Sequence, residues 1–410
     1  MVRPAPIVTG NTERTMPENR VLYPALDGLR AIAFLLVFFQ HYYFIPWGWT
    51  GVNIFFVLSG FLITGILFDS RNDAHRARNF YVRRTLRIFP LYYGVLIVAL
   101  LFDPIAHWNW SALWIAWPLY LGNFLRFVSP AVGTSNSAVQ LAAYAWLRPI
   151  NNPNFAFYYG HFWSLCVEEQ FYFFWPWVVF WARNRRALVW ICSVVVVLVP
   201  VARALTQHVA PGWMLAAQLL DSATPFQLDS LLLGALVALL LRGSHRKRVF
   251  VIGKIVALCA GLAIGLMLIG GIALSYPNWR YGYPYPVWKL TWGQTLFDFL
   301  AAGIILCVLQ PSGILFRLFS VRPLRWIGRI SYGAYVFHDI PHDLYTRIVI
   351  AIGYHFRFVA ERTDFFVIAL GMACTLIISW LSFELYESAF LNLKERWTLR
   401  EPKQIAVNQQ

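Results

Sequence analysis

Leu26-Asp27-Gly28-Leu29-Arg30, an unbroken apolar and aromatic run from Ala31 to Phe39, and then Gln40-His41 read as one membrane helix carrying two ionisable groups. Arg30 and His41 stand eleven residues apart. That is almost three helical turns, so they share a face and lie roughly 16 Å apart along the axis. Hydrocarbon penalises such side chains heavily, which makes both candidates for function rather than packing. His41 falls about halfway through an apolar core of roughly 30 Å. The polar head of the chain holds no apolar signal-peptide core. The run ends at Ile45-Pro46-Trp47-Gly48-Trp49 without a small-residue cleavage site, so a retained first span is expected.

Composition agrees with a membrane setting. The 410 residues are 59% hydrophobic, 18% aromatic and only 13% charged, against about 25% charged in soluble domains. The net charge of +15 sits in short basic runs between apolar segments, as cytoplasmic loops of membrane proteins require. No basic stripe with interleaved aromatics lies outside the spans, so nucleic acid is not an expected partner. Cys166, Cys192, Cys259, Cys307 and Cys374 all lie in hydrophobic segments without paired spacing. They read as small buried residues, neither disulfides nor a metal cage.

Long apolar segments occur near 28–46, 51–69, 88–106, 111–128, 162–181, 187–205, 225–241, 249–275, 293–310, 329–350 and 364–385. The basic stretches Arg71 to Arg87 and Arg183 to Arg186 both belong on the cytoplasmic side, yet three apolar segments separate them. One must therefore fail to cross. The weakest is 111–128, which contains Pro118, Gly122, Asn123 and Arg126. The expectation is an all-α polytopic membrane protein of about ten transmembrane helices, with a re-entrant or interfacial segment near 111–128. Residues 1–22 form a cytoplasmic segment, 23–388 the membrane domain and 389–410 a cytoplasmic tail, neither end being long enough for a core of its own.

Four further stretches carry chemistry. Gly51 to Thr64 (GVNIFFVLSGFLIT) contains Ser59-Gly60, small residues that favour close helix approach. In Phe80 to Pro90 (FYVRRTLRIFP), Arg84 and Arg87 are three apart on one face. Arginine forks match phosphate geometry, while a plain positive-inside anchor is the competing reading. Gly160 to Tyr172 (GHFWSLCVEEQFY) brings Glu168 and Glu169 into a membrane helix about 100° apart, so one is expected to face a cavity and the other to pair structurally. A carboxylate there would orient a histidine or a substrate hydroxyl, or simply pair with a loop arginine. Leu324 to His338 ends in His338, which with the next residue, Asp339, is either a second functional cluster or a structural pair. Asp229 and Asp298 are expected to be structural partners of unidentified groups. The outer stretch 129–160, with Asn151-Asn152-Pro153-Asn154 and the tyrosines Tyr158 and Tyr159, is a candidate sugar contact or a plain connector.

LDGLRA with Arg30 and His41, GVNIFFVLSGFLIT, RRTLRIFPLYY, HFWSLCVEEQFYFFWP and GRISYGAYVFH together resemble the type 3 membrane acyltransferases, in the family's order and across about residues 22 to 385. The resemblance implies transfer of an acyl group, usually acetyl, from cytoplasmic acyl-CoA to a hydroxyl of a cell-envelope or exported glycan. It makes His41 the family's essential histidine, puts Arg30 in the same motif and makes Arg84 and Arg87 the cytoplasmic arginine pair. One departure is Cys166, where relatives often have serine. The chain stops at Gln410, which resembles the stand-alone branch of the family.

Residue chemistry fits that implication. A neutral imidazole is the usual base for a hydroxyl nucleophile. CoA carries phosphates for Arg84 and Arg87, and a thioester donor calls for no metal or redox cofactor. Acyl-CoA, preferably acetyl-CoA, is thus a co-substrate, with a carbohydrate or other hydroxyl acceptor and membrane lipids as the remaining partners. Arg30 is assigned to the donor in preference to pairing with Asp27, and direct transfer is favoured over an acyl-enzyme. Glu168 is the candidate that orients His41 or the acceptor. Glu169, Asp27, Ser59, Gly60 and His338 are possible supports. A transporter or flippase of glycan-linked substrates is the rival class, but matching inverted halves are not seen.

Overall fold

The computed structural model describes residues 24–42, 47–110, 112–125, 146–147, 156–210, 214–273 and 287–399. The expected cytoplasmic segment 1–22, most of the outer stretch 129–160 including Asn151 to Asn154, and residues 400–410 lie outside the described residues. The main helices, in chain order, are α1 (Pro24–His41), α2 (Thr50–Asp69), α3 (Arg76–Leu101), α4 (Trp163–Trp181), α5 (Arg185–Val209), α6 (Leu228–Leu241), α7 (Arg246–Ala273), α8 (Gln294–Val308), α9 (Arg322–Arg329), α10 (Ser331–Phe337), α11 (His342–Gly353), α12 (Thr363–Ser382) and α13 (Ser388–Trp397). Trp146–Leu147 and Phe157–Tyr158 pair antiparallel, Trp146 opposite Tyr158, as the one sheet among the described residues. The architecture is all-α and polytopic.

Seven helical stretches among the described residues are long and apolar enough to cross a membrane: Thr50–Asp69, Arg76–Leu101, Arg185–Val209, Thr224–Leu241, Arg246–Gly270, Lys289–Val308 and Thr363–Trp397. The three remaining expected spans are 28–46, 162–181 and 329–350. Two of them form α1 and α4. The third is not one helix but the succession α9, α10 and α11, broken after Phe337 where Pro341 lacks the N–H a continuing helix needs.

The segment 112–125 forms no long helix, only the 3₁₀ turn Ala112–Ala116 followed by turns and a short helical stretch. Side chains satisfy its backbone. Tyr92 donates to the Trp117 carbonyl at 2.7 Å, Tyr93 to that of Pro118 at 2.8 Å, and Gln170 to that of Tyr120 at 2.7 Å. Irregular backbone at membrane depth is tolerable only under such cover.

Helix α2 is central and packs most closely on α6. A Cβ on Gly60 would stand 1.7 Å from the Leu231 carbonyl oxygen, and one on Gly234 1.9 Å from that of Val57. The two backbones touch there, which only glycine allows. Helix α7 lies outside, with Leu258, Leu262 and Leu266 more than half exposed, an apolar surface suited to hydrocarbon. The expected tail from 389 is in part regular: α13 packs on α3, and Asn79 exchanges two hydrogen bonds with the Leu399 backbone, both 2.9 Å.

Candidate active site

The N-terminal parts of α1, α3 and α4 and the length of α2 surround a cavity of about 1010 Å³. Arg30, Arg76, Arg83, Arg84, Arg87, Arg242, Arg246 and Lys394 line it, against Asp27, Asp69, Asp73, Glu168 and Glu169. On α3, positions 76, 83, 84 and 87 recur at helical spacing, which turns one face into a row of cations. Arg84 stacks over the Tyr172 ring at 5.0 Å, and Arg242 forks onto the Asp69 carboxylate at 2.6 and 2.5 Å. Among the described residues, no hydrogen bond or ion pair neutralises Arg30 or Arg87, and none joins Arg30 to Asp27. Guanidinium groups converging in one cavity have the chemistry to hold an anion such as a phosphate.

Glu168 and Glu169 diverge as their helical spacing requires. Glu168 Oε1 accepts from the Ser59 hydroxyl at 2.5 Å, and Ser59 accepts from Tyr172 at 2.9 Å. Glu169 Oε1 is buried without a hydrogen-bond partner, so it is not the structural ion pair expected of one member. The expected contact of Glu168 with His41 is not formed; the carboxylate is held on the wall of the arginine-rich cavity. Ser59 contacts Glu168 and Tyr172, whereas Gly60 lies against the Leu231 backbone.

His41 stands elsewhere, beside two other histidines. Its Nδ1 lies 3.0 Å from the Val37 carbonyl and 3.1 Å from His338 Nε2. The His161 and His338 rings are 4.7 Å apart, and those of His41 and His161 are 6.2 Å apart. His161 Nε2 lies 3.1 Å from the Val336 carbonyl, while its Nδ1 is 3.8 Å from Asp339 and has no hydrogen bond. His338 and Asp339 are therefore neither a separate cluster nor a mutual pair; the break after α10 delivers His338 to His41. Pairing of α10 with α1, and the Tyr42 hydroxyl donating to the His338 carbonyl at 3.1 Å, hold that junction.

Side chains that line the arginine cavity also bond to the histidine cluster, forming a partition between the two. Val37, on the face of α1 between Arg30 and His41, is buried with Cys166, Phe162 and Tyr335. Ser164 and Tyr335 line the cavity, their hydroxyls are 2.5 Å apart, and Tyr335 also donates to the His161 carbonyl at 3.0 Å. Arg30 lines the arginine cavity and His41 does not, their separation along α1 placing them on either side of the partition.

Sequence reasoning missed His161, Tyr172, Ser164, Tyr335, Arg76, Arg83 and Lys394. Helical spacing from Arg87, four residues after Arg83 and eleven after Arg76, signals the two arginines on α3. Nothing local signals Lys394, which α13 brings back from the far end of the chain. Asp229 and Asp298 are structural partners: Asp229 pairs with fully buried Arg203 and accepts from Thr295 at 2.7 Å, and Asp298 accepts from Asn53 and Ser230, both at 2.8 Å.

A family model described as an acyltransferase domain matches residues 23–384. The chain is 29% identical over 399 residues to "Peptidoglycan O-acetyltransferase OatA" of Listeria monocytogenes, covering 92% of this chain and 57% of that protein. It is 30% identical over 349 residues to "Putative peptidoglycan O-acetyltransferase YrhL" of Bacillus subtilis, covering 77% and 48% respectively. It is 27% identical over 384 residues to "O-acetyltransferase OatA" of Staphylococcus aureus, covering 89% and 56%. The chain therefore spans about half the length of these relatives. No solved structure matches.

Proposed function

We propose, since the chain belongs to the type 3 membrane acyltransferase family, that it is an integral membrane O-acetyltransferase moving acetyl from acetyl-CoA to a hydroxyl of a cell-envelope glycan. The proposed setting is a bacterial inner membrane with both termini cytoplasmic. The observation that carries the reading is the convergence of Arg30, Arg84 and Arg87 on one cavity whose partition is backed by His41. Phosphate groups of CoA are the anions that such a site would take, and the relatives' names supply the acceptor class, peptidoglycan.

In this reading the CoA phosphates lie against the arginines and the thioester arm passes the partition toward His41. A glycan hydroxyl approaches His41 from the opposite side. The His41 Nε2 lone pair takes the hydroxyl proton as the oxygen attacks the thioester carbonyl carbon. Collapse of the tetrahedral intermediate breaks the carbon–sulfur bond, and the departing thiolate takes that proton from the imidazolium. The products are acetylated glycan and CoA thiol, with His41 returned neutral. Glu168, held by Ser59, tempers the arginine charge rather than orienting His41.

Purified protein in nanodiscs with labelled acetyl-CoA and peptidoglycan fragments tests the donor assignment. Each charged hydrogen bond removed costs about 1.5–3 kcal/mol, so Arg84→Ala/Arg87→Ala is expected to raise the KM for acetyl-CoA at least about tenfold. An unchanged KM in the folded double variant, or no CoA release by the parent protein, overturns the reading.

A further inference from the structure

The contacts of the histidine pair determine where the protons sit, and this has a consequence for turnover. A carbonyl oxygen only accepts, so the nitrogen beside it must carry hydrogen. His338 Nδ1 lies 2.7 Å from the Tyr335 carbonyl, which places a proton on that nitrogen and leaves Nε2 as a lone pair. That lone pair faces His41 Nδ1 at 3.1 Å, and the Val37 carbonyl faces the same atom at 3.0 Å. Both neighbours of His41 Nδ1 are acceptors. His41 Nδ1 therefore carries its proton, shared between them, and Nε2 is bare.

The opposite tautomer would set the His41 Nδ1 lone pair against two others. A doubly protonated His338 would bury a cation, for this residue is fully buried and no carboxylate pairs with it among the described residues. A metal reading is also disfavoured. The Val37 carbonyl already engages His41 Nδ1, and the described residues offer no group of three or more His, Cys, Asp and Glu side chains fit to hold an ion.

We propose that His338 is a positioning residue: together with the Val37 carbonyl it fixes His41 in the tautomer whose Nε2 can take the acceptor's proton, and it accepts the Nδ1–H bond that strengthens when His41 becomes cationic. The inference rests on the acyl-transfer reading for its consequence but not for its geometry. His338 needs no contact with substrate. It does what the third member of a nucleophile–base–orienter constellation does, with an imidazole lone pair in place of a carboxylate.

The test combines nitrogen-15 spectra of histidine-labelled protein in nanodiscs with steady-state kinetics. His41 resonances are assigned by their loss in His41→Ala. In the parent, His41 is expected to show a protonated Nδ1 and a bare Nε2, and in His338→Leu a mixture that includes the other tautomer. His338→Leu is expected to lower kcat by about a hundredfold, the lower end of what a general base supplies, with the KM for acetyl-CoA unchanged. His338→Gln, whose amide oxygen can accept from Nδ1–H, is expected to restore part of kcat and of the parent spectrum. A parent His41 protonated on Nε2, or full kcat in folded His338→Leu, overturns the proposal. A parent with the expected tautomer but no thioester turnover sinks the acyl-transfer reading alone.

Discussion

The hydroxyls of Ser164 and Tyr335 meet at 2.5 Å in the partition between the arginine-rich cavity and the histidine cluster. Tyr335 also donates to the His161 carbonyl at 3.0 Å. In the proposed reading the arginine side of the cavity does not depend on this pair, whereas passage toward His41 does. Tyr335→Phe is predicted to cost about 1 kcal/mol of stability for the lost hydrogen bonding and to lower kcat with the acetyl-CoA KM preserved. A raised KM with kcat intact would put Tyr335 in donor binding instead.

Glu168→Gln separates two roles. Its amide oxygen can still accept from Ser59, so the cavity wall keeps its shape while one negative charge near Arg84 disappears. The prediction is near-parental kcat and a lower KM for acetyl-CoA. Were Glu168 the group that orients His41, kcat would fall by about a hundredfold or more. Steady-state kinetics at matched protein levels decide between these outcomes.

The contact of α2 with α6 predicts a folding defect at Gly60. A Cβ there meets the Leu231 backbone oxygen at 1.7 Å, so the helices must part. Gly60→Val is predicted to abolish the monodisperse peak in detergent size-exclusion chromatography. Gly265→Ala on α7, where nothing lies within 4 Å of the added atom, is the neutral control. A normal profile for Gly60→Val would mean that the two backbones do not touch.

Arg203 and Asp229 are both fully buried and paired. Removing one partner strands the other charge, at a cost of about 3–5 kcal/mol, whereas removing both can be nearly neutral. Arg203→Met should therefore lower the thermal unfolding midpoint sharply, and Arg203→Met/Asp229→Leu should recover most of the loss. Equal midpoints for the single and double variants would show that the pair is not isolated in the bilayer.

Much of the membrane fold was legible because hydropathy and basic loops obey the bilayer directly. The exclusion of 111–128 followed from parity, and its turns, braced by Tyr92, Tyr93 and Gln170, agree with that exclusion. The break at Pro341 was less legible, since the run 329–350 is long and apolar enough for one helix, and only the tertiary position of His338 reveals why it bends there. Arg30, Arg84 and Arg87 come together because helical spacing puts each on an inward face. Glu168 was expected to orient His41 or the acceptor; the spacing of α4 gives its direction but not its depth, and its depth places it beside Ser59. His161 and Lys394 enter through tertiary packing, which no local pattern encodes.

The most direct measurement is acetyl-CoA turnover by the parent and by His41→Ala and His41→Gln in nanodiscs, following CoA release and label on added peptidoglycan fragments together. With His41 as the base, both variants lose kcat by about a hundredfold or more while acetyl-CoA affinity, measured by direct titration, stays at the parental value. Parental kcat in either folded variant, or a loss confined to donor affinity, would contradict the account.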